Sequence, residues 1–252
     1  MSDPAAGMSL PASPSTEPTI RPWRAGLAAA RANAVPGVVL SIFALGLLVS
    51  YWYAPPVTSA LNALAGLKAD LGWMFVVPST AFFGGVLPWL VQRARPSVRR
   101  FTPWHHLGFL VVFWGLKGLE VDGLYRLQAM WFGQSSDALT LTKKIIVDMG
   151  IYCPIWAVPT TVAAYAFKDA GYTFRGTGMG GKSLGRWKRW WMETVLPVVI
   201  SNWGVWVPAV LVIYCLPLAL QLPVQNLVLC FWSLLLAFQV RGATADNPAP
   251  DG

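Results

Sequence analysis

Charge is what the chain has least of: 12 % of its 252 residues are Asp, Glu, Lys or Arg, against 55 % that are hydrophobic. A soluble domain carries about a quarter charged residues, so an ordinary water-exposed globule is excluded. Cysteine is also scarce. Cys153, Cys215 and Cys230 each lie alone in an apolar run, and the missing CxxC pair excludes a thiolate metal site or redox dithiol and leaves buried inert thiols. The histidines are His105 and His106 alone, adjacent and therefore unable to share a helix face as metal ligands; they sit where a loop enters an apolar run and read as interfacial. Gly176, Gly178, Gly180, Gly181 and Lys182 lack the Walker spacing and any strand pattern, so no phosphate loop is expected. A serine hydrolase would need a nucleophile elbow and an internal histidine. These absences predict no enzyme, no catalytic residue, no metal and no cofactor.

Long apolar runs are what the chain does have, and they predict an all-α, polytopic transmembrane bundle. The runs fall at about 35–53, 71–91, 104–132, 145–167, 196–216 and 223–240, each near the ~20 residues a helix needs to cross the hydrocarbon core. The transmembrane domain is therefore 35–240, with a flexible Pro/Ala/Ser-rich tail at 1–34 and a disordered polar tail at 241–252. Pro78, Gly84, Gly85, Pro88, Pro154, Pro159 and Pro208 predict kinked spans. Two shorter segments read as interfacial helices. Leu61, Leu64 and Leu67 recur at helical spacing within Thr58–Lys68, and Arg186, Trp187, Lys188, Arg189, Trp190 and Trp191 suit an anionic headgroup surface. Basic residues interleaved with aromatics also bind single-stranded nucleic acid. Beside apolar runs, membrane contact is the better reading.

The net charge of +8 sits mostly in loops. With the N-terminus on the positive side, fourteen Lys or Arg fall on one face of the membrane and Lys68, Arg126, Lys143 and Lys144 on the other, so both termini are expected in the cytoplasm or matrix. A bacterial plasma membrane is favoured, with a mitochondrial inner or peroxisomal membrane as the alternative. The partners are the lipid bilayer and small solutes, nucleic acid is excluded, and a homo-oligomer stays open.

The run 104–132 carries Lys117, Glu120, Asp122 and Arg126, each costing roughly 2.5–3.5 kcal/mol if left unpaired near the middle of a span. Pairing is therefore required. Lys117/Glu120 are three apart and Asp122/Arg126 four apart, so both sets can pair within one helix; Gly108, Gly115 and Gly118 would let a neighbour approach the Asp122/Arg126 side. Asp148 is four residues from Lys144, and an Arg126–Asp148 pair between antiparallel spans is also reasonable. Asn202 can join these groups or bond a neighbouring helix. The six residues Lys117, Glu120, Asp122, Arg126, Asp148 and Asn202 are thus the expected lining of a polar interior, either a weakly selective path for small solutes or a buried ion-pair lock in a structural or assembly protein.

Three blocks resemble a known family. Lys143-Lys144-Ile-Ile-Val-Asp148-Met-Gly150-Ile-Tyr-Cys-Pro154, the upstream Gly118, Gly123 and Tyr125, and the downstream Pro208, Pro217 and Trp232 are similar to blocks of the Mpv-type or peroxisomal-membrane-protein family, over roughly Gly118 to Phe238. Leu119 stands where that family has Pro, and Gln221 where it usually has Arg. The resemblance implies a compact helical bundle and, by association, a pore for small solutes or a part in membrane homeostasis.

Overall fold

A computed structural model describes residues 21–94, 96–99, 102–173 and 184–245. These residues form helices and no strand. In chain order they are α1 Pro22–Ala32, α2 Ala34–Tyr53, α3 Pro55–Leu71, α4 Trp73–Arg93, the single turn α5 Pro96–Arg99, α6 His105–Phe132, α7 Ala138–Asp169, α8 Gly185–Tyr214 and α9 Leu218–Ala245. Local chemistry sets the breaks. Proline opens α1 and α3, where its missing N–H costs nothing. Gly72 (φ +54°) and Gly133 (φ +80°) end α3 and α6 in backbone conformations that a side chain would strain. Asp137 caps α7, accepting from the Leu139 and Thr140 N–H groups at 3.0 Å each; the Thr140 bonds hold its exposed carboxyl well below the usual range.

Four helices, α2, α4, α7 and α8, are long and apolar enough to cross a membrane. Helix α6 is 28 residues long, but its four charged residues remove it from that group, and α9 is apolar over Leu218–Trp232. Wide π-helical turns interrupt α4 at Ala81–Val86, α7 at Ile146–Ala157 and α8 at Trp191–Val195. A helical proline collides with the carbonyl four residues back. For Pro88, Pro154, Pro159 and Pro197 that carbonyl belongs to Gly84, Gly150, Ile155 and Glu193, each inside one of these stretches. The wider turn removes the collision.

The tails differ from the expectation. Residues 1–20 and 246–252 lie outside the described residues, but Pro22–Ala32 is a helix rather than flexible chain, and α9 continues through Ala245. Trp23, Gly26, Leu27 and Ala30 recur at helical spacing, and Gly26 sets α1 against α8: a Cβ there would lie 2.9 Å from Pro197 Cα. Gly26→Val should weaken this contact by about 1–3 kcal/mol, read as faster tryptic cutting at Arg24 and Arg31 in micelles. Unchanged cutting would contradict the docking.

The basic Trp-rich segment is also different from a separate flat helix. Arg186, Trp187, Lys188 and Arg189 are exposed, Trp190 is buried and Trp191 half-buried, and all belong to the first turns of α8. At 3.6 residues per turn the rings of Trp187 and Trp190 share a side, 4.9 Å apart. Helix α3 likewise does more than lie on a surface, since it buries Leu61 and Lys68. The core joins α2, α8 and α9 through Leu40, Ala44, Val205, Ile213, Val224 and Val228. Large apolar side chains face outward instead, among them Val35, Ile42, Met130 and Ile155. Such faces suit lipid rather than water.

Candidate functional site

Helices α4, α6, α7, α8 and α9 surround a cavity of about 600 Å³. Its polar wall comes from Thr80 on α4, Lys117 and Tyr125 on α6, Asp148, Tyr152 and Thr161 on α7, Asn202 on α8, and Gln225 and Asn226 on α9. On α7 the lining runs from Asp148 to Tyr165, about 25 Å of helix rise. A smaller cavity of about 80 Å³ shares Gly84, Pro88, Gln92 and Tyr165 with it and adds His106 and Lys168.

The charged residues separate into three groups. Lys117 Nζ lies 2.9 Å from Glu120 and donates to Thr160 Oγ1 at 2.8 Å, while the Tyr152 hydroxyl also donates to Glu120. This group ties α6 to α7. Asp122 lies between two cations, Lys68 Nζ at 2.6 Å and Arg126 Nε at 2.7 Å. Lys68 is buried while the Arg126 side chain is mostly exposed; burial pulls the Lys68 ammonium below the ordinary lysine value, opposed by its bond to Asp122. In the third group the Tyr214 hydroxyl donates to Asp148 Oδ2 at 2.6 Å and accepts from Gln128 Nε2 at 2.7 Å.

Lys117, Asp148 and Asn202 line the cavity, whereas Glu120, Asp122 and Arg126 do not. The i,i+3 and i,i+4 pairs within α6 are present. An Arg126–Asp148 pair is not: Arg126 turns to Asp122, and the Tyr214 hydroxyl occupies Asp148. Nor do Lys144 and Asp148 pair among the described residues; the Lys144 ammonium lies 5.5 Å from the centre of the Tyr214 ring. Asn202 donates to Cys153 Sγ at 3.3 Å. His105 and His106 pack edge to face at 4.6 Å and both adjoin Tyr172.

Several functional partners were not singled out from the sequence. Lys68 reads as the end of the interfacial helix Thr58–Lys68, but it is the only basic residue of that helix, which was a usable signal that it has a partner. Tyr214, Gln128, Gln225 and Asn226 are polar groups inside apolar runs, where a partner is obligatory. Tyr125 donates to Gln225 Oε1 at 2.9 Å, and Thr80 donates to Asn226 Oδ1 at 3.1 Å. These bonds hold α9 against α6 and α4.

Comparison with known proteins adds one decisive observation. Residues 177–237 match the Mpv17 / PMP22 family. The downstream block of Pro208, Pro217 and Trp232 lies inside this Mpv17 / PMP22 segment, while the Gly118 and Lys143–Pro154 blocks lie upstream of it. The segment takes in α8 and most of α9, and so supplies Asn202, Tyr214, Gln225 and Asn226 to the site. Together with the apolar helices, the match identifies an integral membrane protein. No curated protein and no solved structure matches the chain.

Proposed function

We propose that the protein is a weakly selective pore for small solutes. The observation that carries this reading is the length of the cavity: about 25 Å of lined helix on α7 approaches the ~30 Å thickness of a hydrocarbon core. Its volume also falls within the usual range for small-molecule sites. Helices α6 and α9 complete about six spans, since three of the four charges that set α6 apart, Lys117, Glu120 and Asp122, face protein partners rather than lipid. The fourteen-to-four distribution of basic residues supports both termini on the cytoplasmic or matrix side, with a bacterial plasma membrane favoured. The lining carries Lys117 and Asp148 rather than a ring of charges of one sign, which suits weak selectivity. We read the protein as a non-enzyme, because Asp122 is engaged by cations and Asp148 by Tyr214 rather than by each other.

A structural or assembly role without transport is the second reading, favoured by the Lys68–Asp122–Arg126 group, which does not line the cavity. Release of uncharged solutes graded by size, from liposomes containing purified protein, separates the two. For a pore, release has a size limit, and Asp148→Asn and Lys117→Met each change its rate by about tenfold, equivalent to ~1.4 kcal/mol on the barrier, with the protein still folded. Wild-type liposomes no leakier than empty ones, with both variants only less heat-stable, would establish the lock instead.

A further inference from the structure

The two charged residues on the cavity wall are not equivalent. Lys117 has its counter-ion in Glu120 and a second acceptor in Thr160. Asp148 has no ion-pair partner among the described residues, although it is only 4 % exposed. Tyr214 binds its Oδ2, and Oδ1 has no hydrogen-bond donor among the described residues. The cavity wall therefore carries one carboxyl group without a counter-ion. Its wall at the Asp148 end carries two rings, Tyr125, packed edge to face on Tyr214 at 5.4 Å, and Tyr152, one turn on from Asp148 in α7; Trp114, bonded to Tyr165, lies toward the other end. The hydroxyls of Tyr125 and Tyr152 are spent on Gln225 and Glu120, so these rings offer the cavity no free donor.

We propose that this cavity binds a small organic cation, an alkylammonium group seated against the Asp148 carboxylate with aromatic rings around its apolar shell. A desolvated carboxylate supplies the charge partner and ring quadrupoles attract the cation's diffuse surface. A neutral polyol would leave Asp148 uncompensated, and an anion would be repelled by it. Among the described residues no group of three or more His, Cys, Asp or Glu gathers to hold a metal ion, and Asp148 is the one carboxylate on this wall. The inference deepens the proposed pore by naming what its cavity holds, and it rests on the cavity being reachable from water.

The test uses purified full-length protein in micelles, with thermal unfolding followed by tryptophan fluorescence. Choline chloride is compared with sodium chloride at the same ionic strength and with 3,3-dimethylbutan-1-ol, the uncharged isostere of choline. Choline should raise the unfolding midpoint in a saturable way, and neither control should. Asp148→Asn still accepts the Tyr214 hydroxyl and should lose the response; should that variant not fold, the choline and isostere comparison on wild type decides. An equal shift with the alcohol, no choline shift, or a response retained in Asp148→Asn would overturn the proposal. A choline shift without solute release would overturn the pore and leave the site standing; release without a shift would overturn the site alone.

Discussion

Asp122→Leu is expected to destabilise the protein by about 3–5 kcal/mol, the cost of leaving one member of a buried ion pair without its partner. The stranded group is Lys68, 3 % exposed and 2.6 Å from the carboxylate that would be lost. Either α3 must pull its lysine out of the bundle, or the ammonium must give up its proton. Lys68→Met should cost less, because Asp122 keeps Arg126 at 2.7 Å on a mostly exposed side. The double variant Lys68→Met/Asp122→Leu should lie much closer to wild type than Asp122→Leu does, since neither member of the pair is left buried without its partner. Thermal unfolding of the four proteins in micelles gives the order. Burial already lowers the Lys68 pKa from 10.5, and removing Asp122 also removes the opposing bond. The unfolded state of Asp122→Leu then binds more protons than the folded state, so its deficit should shrink as pH rises toward 10.5. A double variant as unstable as Asp122→Leu would show that the pair does not act as a unit.

The ion pairs within α6 were legible because helical periodicity fixes which side chains meet at three and four residues, whatever surrounds them. Lys117/Glu120 and Asp122/Arg126 needed nothing else. Contacts between helices were less legible, because they depend on which helix is the neighbour. The Arg126–Asp148 pair was reasonable in charge and depth. It fails because α8 brings the Tyr214 hydroxyl to Asp148 and α3 folds back to bring Lys68 to Asp122. An accounting of charge against charge overlooks a neutral hydroxyl as the partner of a buried carboxylate. Periodicity also explains the partial reading of the ends. The Pro- and Ala-rich composition near the N-terminus suggests disorder, yet the small residues Gly26 and Ala30 recur one turn apart, and it is that side of α1 that lies against Pro197 and Gly204 of α8, while Trp23 and Leu27 are exposed.

The separation of the charged residues has a mechanical consequence. The Asp122 group holds α3 to α6 away from the cavity, while the Lys117 and Asp148 groups hold α6, α7 and α8 around it. A buried pair that excludes water keeps its Coulombic strength, whereas a polar group on a cavity wall is free to exchange partners with a solute. In the proposed pore a lock and a path coexist in one helix, at Asp122 and Lys117, five residues apart. This is why substitution at Asp122 should be read first as a stability change and substitution at Lys117 first as a change in release.

Gly118→Ala should destabilise the bundle by about 1–3 kcal/mol, with Gly118→Leu worse, while Gly108→Ala on the same helix should be neutral or stabilising. Both sites sit in α6 and both exchanges add one methyl group, so helix propensity favours alanine at each by about 0.5–1 kcal/mol. Packing decides the sign. A Cβ at Gly118 would lie 2.6 Å from Thr80 Oγ1, 2.7 Å from Thr80 Cβ and 3.0 Å from the Val76 carbonyl oxygen, whereas nothing lies within 4 Å at Gly108. Neither Thr80 nor the carbonyl can give way alone. Thr80 donates to Asn226, which in turn donates to Ser79 Oγ at 3.1 Å, so relief requires α4 and α6 to separate and disturbs the contact with α9. Because Thr80 and Asn226 both face the cavity, Gly118→Ala should also alter solute release, while Gly108→Ala should leave it as it was. Unfolding midpoints and release measured on the two variants side by side would check this. Equal midpoints would mean that α4 and α6 do not pack as closely as these contacts require.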